Sequence, residues 1–203
     1  MTPGLAVPRA GVLIRNALVV SMDEVRSEFV PGYVAIRDDV IVGVGPLPEC
    51  PSEADHVIDA AGKVVLPGFV NAHTHAIHIL MRGGLSDDRP LYDWLFNVIL
   101  PGLAVYGQAD VELAARFYCT EALLSGITTF VDNVEFPVDR FDMAADAAIG
   151  VYRDMGLRVI YARMFYDYTP PDFVPLIEAA QAREPGVRHD PGGFETAESA
   201  LAS

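Results

Sequence analysis

The chain has 203 residues, 51% of them apolar, which is enough to bury the core of an ordinary domain. Its balance is acidic, 28 Asp and Glu against 14 Lys and Arg for a formal charge of −14. Nothing concentrates positive charge, so a nucleic-acid partner and an anionic membrane surface are both excluded.

Lys63 is the sole lysine and the other basic residues are arginine. An acidic, lysine-poor surface fits a salt-rich cytoplasm, and a GC-rich genome would favour arginine equally. Cys50 and Cys119 stand far apart in no metal or redox spacing, which predicts free buried thiols. Pro3, Gly4 and Pro8 interrupt the N-terminus, and no basic stretch followed by an apolar one is present there. No segment approaches the apolar length that spans a bilayer, so a soluble, cytoplasmic protein is expected.

In chain order, residues 1–10 read as a flexible tail. Residues 12–20 read as a strand, and 33–36 with 40–44 as a hairpin around Arg37-Asp38-Asp39. Residues 56–59 and 63–66 add two short strands, with Ala61-Gly62 between them. No helical period runs through this stretch, so 11–66 predicts a small β-sandwich or meander. His56 falls within it and reads as an exposed strand residue, not a ligand.

Leu66-Pro67-Gly68-Phe69-Val70-Asn71-Ala72-His73-Thr74-His75 then opens on a Pro-Gly breaker and reads as a short buried strand ending in His-x-His. Strict alternation puts Phe69, Asn71, His73 and His75 on one face. Two neutral imidazoles at i and i+2 can both reach one ion, giving half the ligands of a borderline metal such as zinc. Chance placement of two histidines on a half-exposed strand explains the bare motif equally well, so the flanks have to decide.

After His75 the pattern turns helical. Residues 90–104 carry Trp94, Leu95 and Val98 at helical spacing, broken by Pro101-Gly102. Asp110 is placed to cap a helix running to Ser125, with Leu113, Phe117 and Leu124 as its inward stripe and Gly126 as its stop. Residues 127–131 form a β-branched strand ending in Asp132-Asn133. A helix over 141–155 turns Ala148, Val151, Tyr152 and Met155 inward and stops at Gly156, before a strand over 157–162. Asp172 caps a further helix to about Glu184, ahead of Pro185-Gly186. This alternation predicts the opening of a parallel (β/α) barrel. The stretch from Phe194 to Ser203 begins a helix-like pattern without a terminator. Three parallel strands cannot close a barrel and leave an unpaired edge, so the expectation is the N-terminal portion of a longer enzyme.

The run Val64 to His75 resembles the first barrel strand of the amidohydrolase superfamily. The likeness continues through Arg82-Gly83-Gly84, Leu91-Tyr92-Asp93-Trp94-Leu95-Phe96-Asn97, Ser125-Gly126-Ile127-Thr128-Thr129 and the run Leu157 to Phe165. It is most similar to the branch of atrazine chlorohydrolase and melamine deaminase, beside the cytosine, guanine and S-adenosylhomocysteine deaminases. The resemblance implies an α/β fold: the first three βα units of a (β/α)8 TIM-type barrel over 67–186, a β-sandwich segment over 11–66, and an incomplete tail over 187–203.

It also implies one divalent metal ion, zinc first and iron second, with His73 and His75 as ligands. The family's later histidine and aspartate ligands, and its proton-carrying Glu and His, find no matching position, so no catalytic residue is assigned. His189, in a Pro/Gly/Asp-rich stretch, reads as a loop residue and not as a substitute. The implied reaction is attack by metal-activated water on an electron-poor carbon of a triazine- or nucleobase-like ring, with loss of an amino group or a halide. The implied partner is thus a small heteroaromatic substrate, and the full-length parent is expected to be a homo-oligomer.

Trp94 and Leu95 are candidate walls of the substrate pocket, with helix core as the competing assignment for each. His78 lies beyond the strand's alternation and is a candidate substrate contact. Asp132 and Asn133 end their strand on the same side, as ligand supports, substrate contacts or plain strand-end caps. The chain alone is expected to be inactive. The competing reading is a non-catalytic remnant or a half-barrel that depends on a partner chain, with exposed apolar faces prone to self-association.

Overall fold

The computed structural model describes residues 10–83, 89–165 and 174–183. Gly84, Asp172, Glu184, Pro185-Gly186, His189, residues 1–9 and the tail over 194–203 lie outside the described residues. The chain divides into two units, Met1–Pro67 and Gly68–Ser203.

The first unit holds β1 (Ala10–Val20), β2 (Glu28–Arg37), β3 (Val40–Pro46), β4 (Ala54–Asp59) and β5 (Val64–Val65). They form one sheet in the order β3-β2-β1-β4, with β5 also on β1. β1 runs antiparallel to β2 but parallel to β4 and β5. The hairpin of β2 and β3 turns at Asp38-Asp39 as the sequence predicts. A single mixed sheet therefore stands where a sandwich or meander is expected. The physical reason is the length of β1, which is irregular about Asn16, a residue in the left-handed region at φ 66°. On either side of that irregularity one short parallel strand finds room: β4 pairs with Ala10 to Arg15, and β5 with Leu18 and Val19. Period-two alternation gives each face its own small core. Leu13, Tyr33 and Ala35 bury on one side, and Ala17, Val19 and Val34 on the other. His56 on β4 is exposed.

The second unit is built on three parallel strands in the order β6-β7-β8: β6 (Phe69–Thr74), β7 (Ile127–Val134) and β8 (Arg158–Arg163). Between β6 and β7 come a 3-10 turn (Ala76–Met81), α1 (Leu91–Trp94), a π-helical segment (Leu95–Ile99), α2 (Leu100–Val105) and α3 (Gln108–Leu124). A 3-10 turn (Val138–Arg140) and α4 (Phe141–Met155) join β7 to β8, and α5 (Val174–Arg183) follows. Among the described residues no helix is long and apolar enough to cross a membrane.

Three expectations change here. Pro101-Gly102 does not break the helix, because Pro101 sits in the first turn of α2, where a missing N–H costs nothing. The wider π turn just before it reshapes the ladder, and the Asn97 amide donates to the Asp93 carbonyl at 2.7 Å. Asp110 acts from inside α3, not from its cap position: its Oδ2 accepts the Gly107 N–H at 2.9 Å. The expected inward stripe of α3 points outward, with Leu113, Phe117 and Leu124 all exposed. Its buried face is Val111, Ala114, Ala115, Cys119 and Ala122. Small side chains let the helix lie close to the sheet, and with apolar residues on more than one face of α3, spacing alone picks none. Helix α4 buries Ala148, Val151 and Tyr152 as expected. Gly126 and Gly156, at φ +79° and +75°, follow the two helices in the left-handed conformation that glycine tolerates.

The main core of this unit packs these helix faces against Phe130 and Val134 of β7. Cys119 lies within it, fully covered, and burial, helped by the nearby Asp132 carboxylate, pushes its thiol up to about 11. Cys50 is only partly buried. At pH 8 a thiol reagent such as DTNB is expected to label Cys50 in the native chain. Cys119 should react only on unfolding, its thiolate being roughly 100-fold scarcer than that of a free thiol from the shift alone. Equal labelling of both would contradict this packing. Stability should also decline as pH climbs from 9 towards 11, since the unfolded thiol, near 9.0, loses its proton first.

Candidate metal centre

Among the described residues β6 pairs on one side only, and its first residues are open to solvent, with Phe69 56% and Val70 66% exposed. The strand expected to be buried is therefore an edge strand in this chain. Its C-terminal end brings the two sequence-predicted histidines together. The rings of His73 and His75 lie 5.0 Å apart, centroid to centroid, at 88°. His75 has already left the strand and begins the 3-10 turn, at φ −125° and ψ 77°.

Both rings meet one residue, Asn133 of β7. The His75 Nδ1 lies 2.6 Å from the Asn133 main-chain carbonyl oxygen, and the His73 Nδ1 lies 2.9 Å from the Asn133 side-chain Nδ2. A carbonyl only accepts, so His75 donates through Nδ1–H and keeps the lone pair of Nε2 for another partner. A metal-binding imidazole needs that arrangement. Among the described residues no group of three or more His, Cys, Asp or Glu stands together as a metal cage. The two imidazoles fit one half of such a cage by chemistry and spacing.

Ideal alternation places Asn71 with the histidines, but its side chain goes the other way. The Asn71 amide donates to the Tyr118 hydroxyl of α3 at 3.0 Å. A register irregularity between Asn71 and Thr74 separates it from the histidines. One extra residue in a strand reverses which face its neighbours take.

Asp132 and Asn133, adjacent on β7, divide between the two faces of the sheet. Burial alternates along the strand, with Phe130, Asp132 and Val134 covered and the residues between them partly open. Asp132 is fully buried. Its Oδ1 accepts the N–H of Ala76 at 2.9 Å, and its Oδ2 accepts the Tyr152 hydroxyl at 2.6 Å. Burial pushes its carboxyl up, opposed by those two hydrogen bonds and by the nearby His75. Asp132 thus anchors the residue after His75 from the core side, while Asn133 holds the rings from the other. The sequence signal for this division is parity along β7.

His78 stacks flat on His75, with ring centroids 4.9 Å apart at 6°, and meets the Trp94 ring edge-on at 6.3 Å. Its Nε2 is covered and has no hydrogen-bond partner among the described residues. Burial, and then the neighbouring His75, hold its imidazole down to about 3, so it is neutral. His75, His78 and Trp94 line one open cavity of about 300 Å³ with Tyr118. Leu95 is not among the residues lining it; it packs between the main core and Phe96 with Leu100. Of the expected pocket residues, His78 and Trp94 come together beside His75, and Leu95 takes the helix-core place.

The amidohydrolase family model matches residues 64–200. A 5-methylthioadenosine/S-adenosylhomocysteine deaminase of Syntrophobacter fumaroxidans is 37% identical over 170 residues, 83% of this chain and 37% of that protein. The chain therefore spans well under half the length of that relative. An adenosine deaminase of Xanthomonas campestris, solved with bound zinc, superposes with a TM-score of 0.69 at 26% identity, over 86% of this chain and 40% of that one. Atrazine chlorohydrolase of Arthrobacter aurescens, solved with zinc, gives 0.66 at 28% identity, over 78% and 36%.

Proposed function

This chain belongs to the amidohydrolase family, and from that premise we propose that it carries the metal-binding strand of a hydrolytic deaminase. The substrate would be a nucleoside- or nucleobase-like ring, as the name of the Syntrophobacter relative suggests. One observation carries the reading: His73 in β6 and His75 just past its end lie side by side, each with Nδ1 at Asn133. On this reading β6, β7 and β8 with their helices are the first three βα units of a (β/α)8 barrel. The histidines stand at the strand ends, where such barrels keep their active sites.

His73 and His75 would hold one divalent ion through Nε2. Zinc is the first choice, since two structural relatives hold it, and iron the second. When bound, such an ion lowers the pKa of a coordinated water towards neutrality. The chain's own residues orient the site. The Asn133 carbonyl fixes the His75 ring, and Asp132 fixes the turn that follows it. Neutral His78 and Trp94 present an aromatic wall suited to a flat ring. In the deamination, water adds to the ring carbon and the exocyclic nitrogen leaves as ammonia. Loss of chloride from a triazine is the second reading, favoured by the likeness to atrazine chlorohydrolase.

The test is metal binding by the purified chain, followed with zinc or with cobalt as a spectroscopic probe. One ion per chain is expected. His73→Ala and His75→Ala should each weaken binding by about 100-fold or more, exceeding what loss of a ligand's support alone gives. Unchanged affinity in both variants would remove the reading. For the whole enzyme, ammonia release from 5-methylthioadenosine would favour deamination, and chloride release from a chlorotriazine the second reading.

A further inference from the structure

We propose that Asn133 is a positioning residue that selects which nitrogen of His73 is free to bind a metal, a role that rests on the metal-site reading above. Its two contacts are chemically unequal. Towards His75 it offers a main-chain carbonyl at 2.6 Å, which can only accept and cannot turn away from the strand. His75 is thereby fixed with its proton on Nδ1 and its Nε2 lone pair free.

Towards His73 it offers a side-chain amide, whose Nδ2 lies 2.9 Å from Nδ1. An amide NH2 only donates, so Nδ1 of His73 must accept, and the proton of the neutral ring then sits on Nε2. In that state His73 has no lone pair at Nε2, and its Nδ1 is occupied by the amide. A half-turn of the carboxamide about Cβ–Cγ brings Oδ1 to the same place. The oxygen accepts Nδ1–H, the ring proton moves from Nε2 to Nδ1 through solvent, and Nε2 becomes a ligand. One residue therefore holds one imidazole permanently ready and the other switchable. The side chain is free to make this turn because the Asn133–His73 contact is exposed.

The experiment is long-range proton–nitrogen NMR of the histidine rings in the metal-free, full 203-residue chain. The wild type should show His75 as the Nδ1–H tautomer and His73 as the Nε2–H tautomer, with both Nδ1–H once zinc is added. In Asn133→Ala, His73 should become a mixture of tautomers while His75 stays as it was, because its partner is main chain. Zinc affinity should fall about 10- to 100-fold. In Asn133→Asp, whose carboxylate only accepts, His73 should be Nδ1–H before any metal arrives, and affinity should recover. Circular dichroism on both variants checks that the fold is kept, and the wild-type spectrum alone tests the starting tautomers.

A wild-type His73 already Nδ1–H without metal would overturn the switch. So would an Asn133→Ala chain with the wild-type tautomer pattern and zinc affinity. If His73→Ala and His75→Ala leave zinc binding unchanged, the metal reading fails instead, and the tautomers still report on Asn133 independently.

Discussion

Asp132→Ala is expected to lower the unfolding free energy by about 2–6 kcal/mol, the cost of leaving two buried donors unpaired at about 1–3 each. The donors are the Ala76 N–H and the Tyr152 hydroxyl, both held by a carboxylate with no solvent exposure. The size of the effect comes from the orphaned partners more than from the lost charge, which burial already penalises. Asp132→Asn separates the two causes. Its oxygen still accepts from Ala76 and its NH2 can donate to the Tyr152 oxygen, so it should stay within about 1 kcal/mol of the wild type. Urea unfolding of the three chains makes the comparison. An alanine variant as stable as the asparagine one would show that the network contributes nothing. Because Ala76 directly follows His75, the alanine variant should also lose zinc affinity, whereas the asparagine variant should not.

Gly68→Ala is the second large effect. A Cβ on Gly68 would lie 2.8 Å from the Thr128 Cβ and closer still to its Oγ1 and Cγ2. The threonine Cβ is fixed to the backbone of β7, so no rotamer relieves the overlap. The two strands must separate or slip from the register that pairs Phe69 with Ile127 and Val70 with Thr129. Overpacking of this kind costs about 1–3 kcal/mol and occasionally more. Thr128→Gly in the same chain removes every atom of the overlap. The double variant should recover most of the loss, short of about 1 kcal/mol for a glycine inside a strand. If Thr128→Gly gives no recovery, the close approach of β6 to β7 is not the cause.

The local elements and the adjacent histidine pair were legible in the sequence for a simple reason. Hydrophobic period, Gly126 and Gly156 after their helices, and His-x-His at the end of a strand are short-range signals, and short-range geometry fixes what they do. The family is legible there too, through runs such as Val64 to His75 and Ser125 to Thr129, and the match over residues 64–200 agrees. What spacing could not give was any choice between faces. Helix α3 carries apolar residues on more than one face, so only packing against the sheet decided that Ala114, Ala115 and Ala122 go in and Leu113, Phe117 and Leu124 stay out.

Asn71 left the histidine face because β6 is irregular in its pairing with β7, and pairing is a property of two segments some sixty residues apart in chain, such as His73 and Asn133. The first sheet is mixed for a similar reason, since β1 offers two short strands a place only once all three meet. The sequence by itself therefore determined the family and the adjacent histidine pair, His73 and His75, for which a metal is proposed. Tertiary structure decided which residue holds them, Asn133 in front and Asp132 behind, because hydrogen bonds between strands depend on register, and register is not written in either strand alone.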